Sequence, residues 1–467
     1  MGIGIEKNNT TSLLPKIIIF GLLSSLYITS SFAYTYSDTN FGGQPIGWDN
    51  TKPIRYYLDP GPLPPFSNEQ AHTLLKEAMK LWENAPNANV PKFEFAGYLP
   101  EDINKDNYSK YVDLLTCYTD SFEYCKNVEA HQNLQTVIIF DNDNWILENV
   151  LCLIGGCNAK AGPMTFEGGF LTDAKFIVQG YAVFGILPNF EPPGVVSLFT
   201  HELGHLLGLG HTALNQQLMN QKPRIIPPEL FFPTMLLNPN FGMDSVNDST
   251  GSTLNPDDMS GIAYLYPSDT FNQDTATIKG NVKKSDGSPM PKANVIARNT
   301  EDPWCKAYSF ITSKFCPHHG GPGWVCLEGL DGSYIIAGLP PGDYTVEVEE
   351  IESEDIAMAV GLYYDYNLAG DAEFWNENDQ ADEDPYLYTV IHLEPGDVRE
   401  NVDIVLNRSE VTPDRVKMIP MEKFTIPATT SCTDTTVDYA GLIGIDEGPI
   451  SNTSPGGGCS LIPRDKE

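Results

Sequence analysis

In the stretch His201-Glu202-Leu203-Gly204-His205-Leu206-Leu207-Gly208-Leu209-Gly210-His211, residue types and spacing are those of a reactive centre. Residues four apart share one face of a helix, so His201 and His205 can present two imidazoles to one metal ion, with Glu202 beside an open coordination position. Gly208 can take a positive φ, end the helix and turn the chain so that His211 returns as the third ligand. Three neutral histidines suit a zinc ion that keeps its fourth position for water. Zinc lowers the pKa of such a water towards about 7, and Glu202 is placed to accept its proton and pass it to a departing amine. The reaction this set suits is hydrolysis of an amide bond.

A single histidine on an apolar helix is ordinarily a core residue, and a bare His-Glu-x-x-His match arises by chance. The longer pattern fixes five positions, and it follows the apolar residues Val195, Val196, Leu198 and Phe199. Five of the eight histidines lie outside it, and none has comparable spacing. Two further groups contain metal-ligating residue types. Asp141-Asn142-Asp143-Asn144 offers oxygen at alternate positions and could hold calcium, though a solvated turn has the same composition. Cys316-Pro317-His318-His319 with Cys326 has zinc-ligating types, but a disulfide-bounded loop is the simpler reading.

The elements around these residues fall into two segments of a chain of 467 residues, long enough for more than one core. From 34 to 268, helix and strand signals alternate. Ser67-Asn68-Glu69-Gln70 can form a capping box, after which Ala71, Leu74, Leu75, Ala78 and Trp82 recur at helical spacing. Strands are expected at 92–95 and 136–140, with 175–179 a further candidate. Near the end of this segment Asn255 can cap a helix with Pro256 in its first turn, where Asp257 and Asp258 would complement the helix dipole. From 269 to 407 the signals are short strands and turns: Ala276 to Val282, Asp331-Gly332-Ser333-Tyr334, Tyr344 to Val348 and Val402 to Leu406. They predict a β-sandwich that folds independently. From 408 to 467 periodic apolar pattern is scarce, and a loose tail is expected.

The eleven-residue pattern resembles the metzincin zinc peptidases and, within them, the matrixins. Ile54 to Leu58, the helix bearing Ala78 and Trp82, and Leu254 to Tyr266 resemble the matrixin entry strand, first helix and closing helix. This resemblance implies a twisted mixed sheet with long helices, so the fold class expected is α+β. It assigns His201, His205 and His211 to zinc, Glu202 to the base, and a methionine turn beneath the metal. Met235, in Pro233-Thr234-Met235, fits that turn better than Met219, and choosing it makes 212–232 an inserted loop. No cysteine precedes the catalytic segment after residue 33, so the cysteine-switch latency of animal matrixins has no residue here. The pattern Gly280-Asn281-Val282, Asp331 to Tyr334 and Gly338 to Tyr344 resembles the carboxypeptidase regulatory-like family, which implies a transthyretin-like sandwich without catalysis of its own.

Composition limits the partners. Against 62 Asp and Glu stand 28 Lys and Arg, a net charge of -34, which argues against nucleic acid and anionic membrane. Residues 1–33 read as an export signal: Lys7 and Lys16, the apolar run Ile17 to Ile28, and Ser31-Phe32-Ala33. That run falls short of the roughly 20 residues needed to span a membrane. Nine cysteines, in the local groups 117/125, 152/157, 305/316/326 and 432/459, fit an exported chain with disulfides. The expectation is a secreted or cell-envelope zinc endopeptidase acting on proteins or peptides, with oligomeric state left open. Its rival is an exported adhesive protein with a structural zinc site.

Overall fold

A computed structural model describes residues 46–111, 134–151, 159–167, 170–179, 192–217, 233–236, 253–312, 331–351, 367–381, 383–407, 416–420, 423–424 and 439–444. These residues form a mixed α and β chain with several sheets and few helices. The first module opens with β1 (Ile54–Leu58) and α1 (Asn68–Glu83). Ser67 caps α1 by the expected reciprocal pair: its hydroxyl accepts from Gln70 N–H, and the Gln70 side chain accepts from Ser67 N–H. Ala71, Leu74, Leu75, Ala78 and Trp82 are all buried along one stripe.

Four more strands, β2 (Phe93–Tyr98), β3 (Thr136–Asp141), β4 (Ala159–Glu167) and β5 (Phe170–Gln179), complete a sheet in the order β2-β1-β3-β5-β4. β1, β2, β3 and β5 run parallel, whereas the edge strand β4 is antiparallel to β5. Every residue of β3 is buried, as a central strand covered on both faces requires. β4 was not expected from sequence. It contains Gly162 and Pro163, residues that suit an edge strand, and its register shifts next to Pro163.

The helix that bears the histidines, α2 (Pro192–Leu207), packs on α1 and the sheet. Trp82 Nε1 donates to the Thr200 carbonyl at 2.8 Å, and Phe199 stacks on Phe140 of β3. The module closes with α3 (Pro256–Leu265), capped by Asn255 with Pro256 in its first turn.

After α4 (Phe271–Asp274), the second module contributes β6 (Ala276–Lys283), β7 (Asn294–Asn299), β8 (Ala307–Ile311), β9 (Ser333–Leu339) and β10 (Gly342–Glu349). The short strands β11 (Glu373–Phe374), β12 (Ile391–Leu393), β13 (Val398–Arg399) and β14 (Ile404–Val405) follow. One sheet runs β11-β10-β7-β8, with β12 also on β10. The other gathers β9, β13 and β14 around β6. β6 alternates buried and half-buried residues, as its sequence predicts. Gly332 takes φ +74° in the turn before β9, while the strand expected over 402–406 pairs only at Ile404–Val405.

The boundary expected near 268 falls beside α4, but the core does not stop there. One buried cluster joins Trp82, Leu206 and Met235 to Ile278, Val346 and Ile404. The described pieces of 408–467 are also packed, where the sequence suggested a loose tail. Ile419 is buried with Ala372 and Phe374, and the Ile443 carbonyl, beyond α5 (Tyr439–Leu442), accepts from Gln70 Nε2 at 3.0 Å.

Cys305 is buried in a disulfide, whose partner lies among the cysteines outside the described residues, as do the export segment, Cys316 to Cys326 and Met219. Among the described residues no helix is long and apolar enough to cross a membrane.

Candidate metal centre

α2 places His201 and His205 one turn apart on the same face, and the way it ends brings in His211. Leu209 N–H donates to the Gly204 carbonyl and Gly208 N–H to the His205 carbonyl, the two bonds of a Schellman stop. Gly208 sits at φ +110°, and a Cβ there would come within 2.9 Å of the Ile46 carbonyl oxygen. The reversal allows His211 to face back towards the helix. His205 Nε2 lies 3.1 Å from His201 Nε2 and 3.2 Å from His211 Nε2. The ligand atoms of all three lie within 4.8 Å of one another.

These separations suit shared coordination. Two nitrogens bound at ordinary Zn–N distances in a tetrahedron are about 3.3 Å apart. The other ring nitrogens are already committed: His201 Nδ1 is 2.6 Å from the Thr234 carbonyl oxygen, and His205 Nδ1 is 2.8 Å from that of Leu209. A carbonyl oxygen only accepts, so each Nδ1 carries the proton and each Nε2 keeps its lone pair for a metal. Burial, reinforced by neighbouring His205, pushes the pKa of His201 down to about 3 against the pull of the Thr234 carbonyl. Burial also lowers His205. Both rings are therefore neutral near pH 7, the form that binds metal.

Glu202 follows His201 on α2 and is buried, with 6% of its surface exposed. Met235 lies under the helix, against Gly204, where a Cβ would overlap its Sδ and approach Trp82 Cζ2 to 2.9 Å. Thr212, directly after His211, donates its N–H to the Met235 carbonyl at 3.0 Å. The Pro233–Leu236 turn thus touches both ends of the ligand set.

What fixes that turn was missed by sequence reasoning. Asp257 and Asp258 were expected to complement the dipole of α3, yet both are fully buried. Asp258 accepts from Thr234 N–H at 2.7 Å, Met235 N–H at 3.0 Å and Asn255 N–H at 2.9 Å. Burial still raises its pKa to about 6. Asp257 accepts from the Thr212 hydroxyl at 2.9 Å and from Ser309 N–H, on β8, at 2.7 Å. Two aromatic donors cap the last carbonyls of α2: Trp48 Nε1 reaches Leu206 O at 2.9 Å, and the Tyr266 hydroxyl reaches Leu207 O at 2.6 Å. The sequence pointed to this region through the Asn255-Pro256 cap and the Pro233-Thr234-Met235 turn, but not to the carboxyl groups that join them.

The acidic turn Asp141-Asn142-Asp143-Asn144 engages the protein itself. Asp141 is buried and accepts from Leu147 N–H, Asn142 donates to Asp102, and Asp143 pairs with Lys105 at 3.6 Å. Among the described residues the histidine triad is the one group of three or more His, Cys, Asp or Glu side chains close enough to hold a metal ion. No family model matches the chain, and no curated protein matches it at a significant level.

Proposed function

We propose that the protein is an exported zinc endopeptidase of the metzincin type, matrixin-like in its first module, with a transthyretin-like sandwich as its second. The observation that carries this reading is the convergence of three Nε2 atoms, each Nδ1 of His201 and His205 held by a carbonyl, on a helix that also bears buried Glu202. When bound, zinc supplies a Lewis acid and a water of lowered pKa. Thr234 and Leu209 fix the tautomers and orientations of His201 and His205 through their carbonyls. Glu202 accepts the proton of the attacking water and delivers it to the amine nitrogen as the peptide bond breaks. Met235 serves as the methionine turn, filling the space below the ligand-bearing turn. β4, the antiparallel edge beside α2, offers its backbone to an extended substrate. The disulfide at Cys305 supports export.

The test is zinc content by elemental analysis beside turnover of a quenched peptide. Glu202→Gln is expected to keep zinc and lose about 10²- to 10⁴-fold in rate, the usual contribution of a general base. Changing His201, His205 or His211 to Ala is expected to lose the metal too. Near-normal turnover by Glu202→Gln would show that Glu202 is not the base, and the mechanism argued here would fall.

A further inference from the structure

The residues that follow His211 are held largely by the second module. Thr212 Oγ1 is 2.9 Å from Ser309 Oγ of β8, and both groups meet on buried Asp257. Leu214 is buried in a cluster with Ile296 of β7 and Ala307 of β8. Asn215, at φ +61°, accepts through Oδ1 from Arg298 Nη1 at 3.0 Å. Arg298 is itself fixed by a buried ion pair with Glu347 at 2.8 Å and lies over the Trp304 ring. Gln217 Nε2 donates to the Glu350 carbonyl at 2.7 Å.

A loop that leaves a metal ligand would ordinarily be free to shift its ligand. Here its anchors come from residues 83, 97 and 133 positions further along the chain and from the Leu214 cluster, and they include apolar packing, neutral hydrogen bonds and one from a charged donor. We infer that the two-sheet module positions His211, through Ile296, Arg298 and Ser309, so that the metal centre belongs to both modules. The inference rests on His211 being a metal ligand, as in the function proposed above. It goes beyond the sequence reading, in which the second module folds independently and carries no catalysis of its own.

The experiment compares two equal truncations in that module of the full chain. Ile296→Ala opens a cavity against Leu214, whereas Ile404→Ala opens one on β14 in the other sheet. Both lower Tm, because each removes the same buried atoms. Zinc affinity is measured by competition with a chromophoric chelator, and the Co²⁺ absorption spectrum reports ligand geometry. Ile296→Ala is expected to weaken zinc about tenfold and change the Co²⁺ spectrum, while Ile404→Ala stays within about twofold with the parent spectrum, since support around a ligand is typically worth 10- to 100-fold in affinity.

Equal affinities for Ile296→Ala and the parent, or equal weakening in both variants, would overturn the inference. If Ile296→Ala does not fold, Ser309→Ala removes one hydroxyl and decides the matter, with a loss on the order of threefold expected and parental affinity counting against it. A parent that binds zinc without cleaving peptides refutes the peptidase reading, while these affinities still decide the positioning role. A parent that binds no divalent metal overturns both.

Discussion

Gly204 lies between the two ligand-bearing positions of α2, and the space above its Cα is filled by Met235 Sδ, with Trp82 Cζ2 also in reach of a Cβ. Gly204→Ala therefore overpacks the site, at about 1–3 kcal/mol for an ordinary core position. The upper end is expected here, because Met235 and Trp82 are fully buried and the indole is tied to the Thr200 carbonyl. Met235→Ala has the opposite fault and leaves a cavity costing about 2–5 kcal/mol. In the double variant the new methyl occupies room that the thioether has vacated. The two losses should then fail to add, by about 1–2 kcal/mol of mutual relief. Denaturant unfolding of the four metal-free proteins measures this coupling. Losses that add within about 0.5 kcal/mol would show that Met235 does not fill the space at Gly204, and the account of the turn beneath the ligands would fail.

Three further outcomes follow from the same geometry. Asp258→Ala strips the acceptor from Thr234, Met235 and Asn255 N–H groups, each lost buried bond costing about 1–3 kcal/mol, so Tm drops and zinc binding weakens as the Thr234 carbonyl loosens; an unchanged zinc Kd would refute the link. Gly208→Ala forces a side chain into φ +110° against the Ile46 carbonyl and is expected to lower stability by about 1–3 kcal/mol, with an unchanged melting curve as the contrary result. Burial raises Asp59 and Glu349 to about 8 and Glu373 to about 9, so the folded chain holds protons that the unfolded chain releases near pH 4. Stability should consequently fall as pH rises towards those values. His72 and His201, lowered by burial to about 4 and about 3, oppose this only below their ordinary value of 6.5. The Tm of metal-free protein should hence be lower at about pH 8 than at about pH 6.5, and a rise would contradict the burial of these carboxyls.

Local signals were legible in the sequence because their physics is local. Ser67 with Gln70, Asn255 with Pro256, and Gly208 after a helical run each act within one turn, and all take the conformations their types suggest. β7 and β8 were harder: every residue in them is buried, so no alternation marks them as strands. β4 was hidden by Gly162-Pro163, which reads as a chain breaker until β5 is beside it. The triad itself was readable from spacing, but its outer support was not. Thr234 and Leu209 act through backbone oxygens, and a carbonyl has no residue signature.

The same limit explains why the second module looked separable. A change from mixed signals to strands near residue 268 marks a change of element type, which need not coincide with an end of the core. Leu214 has the letter of a surface-loop leucine, and only its burial with Ile296 and Ala307 reveals a joint. Asp257 would serve a helix dipole equally well in solvent. In the folded chain its carboxylate accepts from Thr212 on one side and Ser309 on the other, so a single side chain joins the loop after His211 to β8. Burying that carboxyl raises its pKa well above the ordinary carboxylate value, a cost that donors from both modules offset in part. A group desolvated at such cost, with donors on both sides, links the residue after His211 to β8 through one carboxyl.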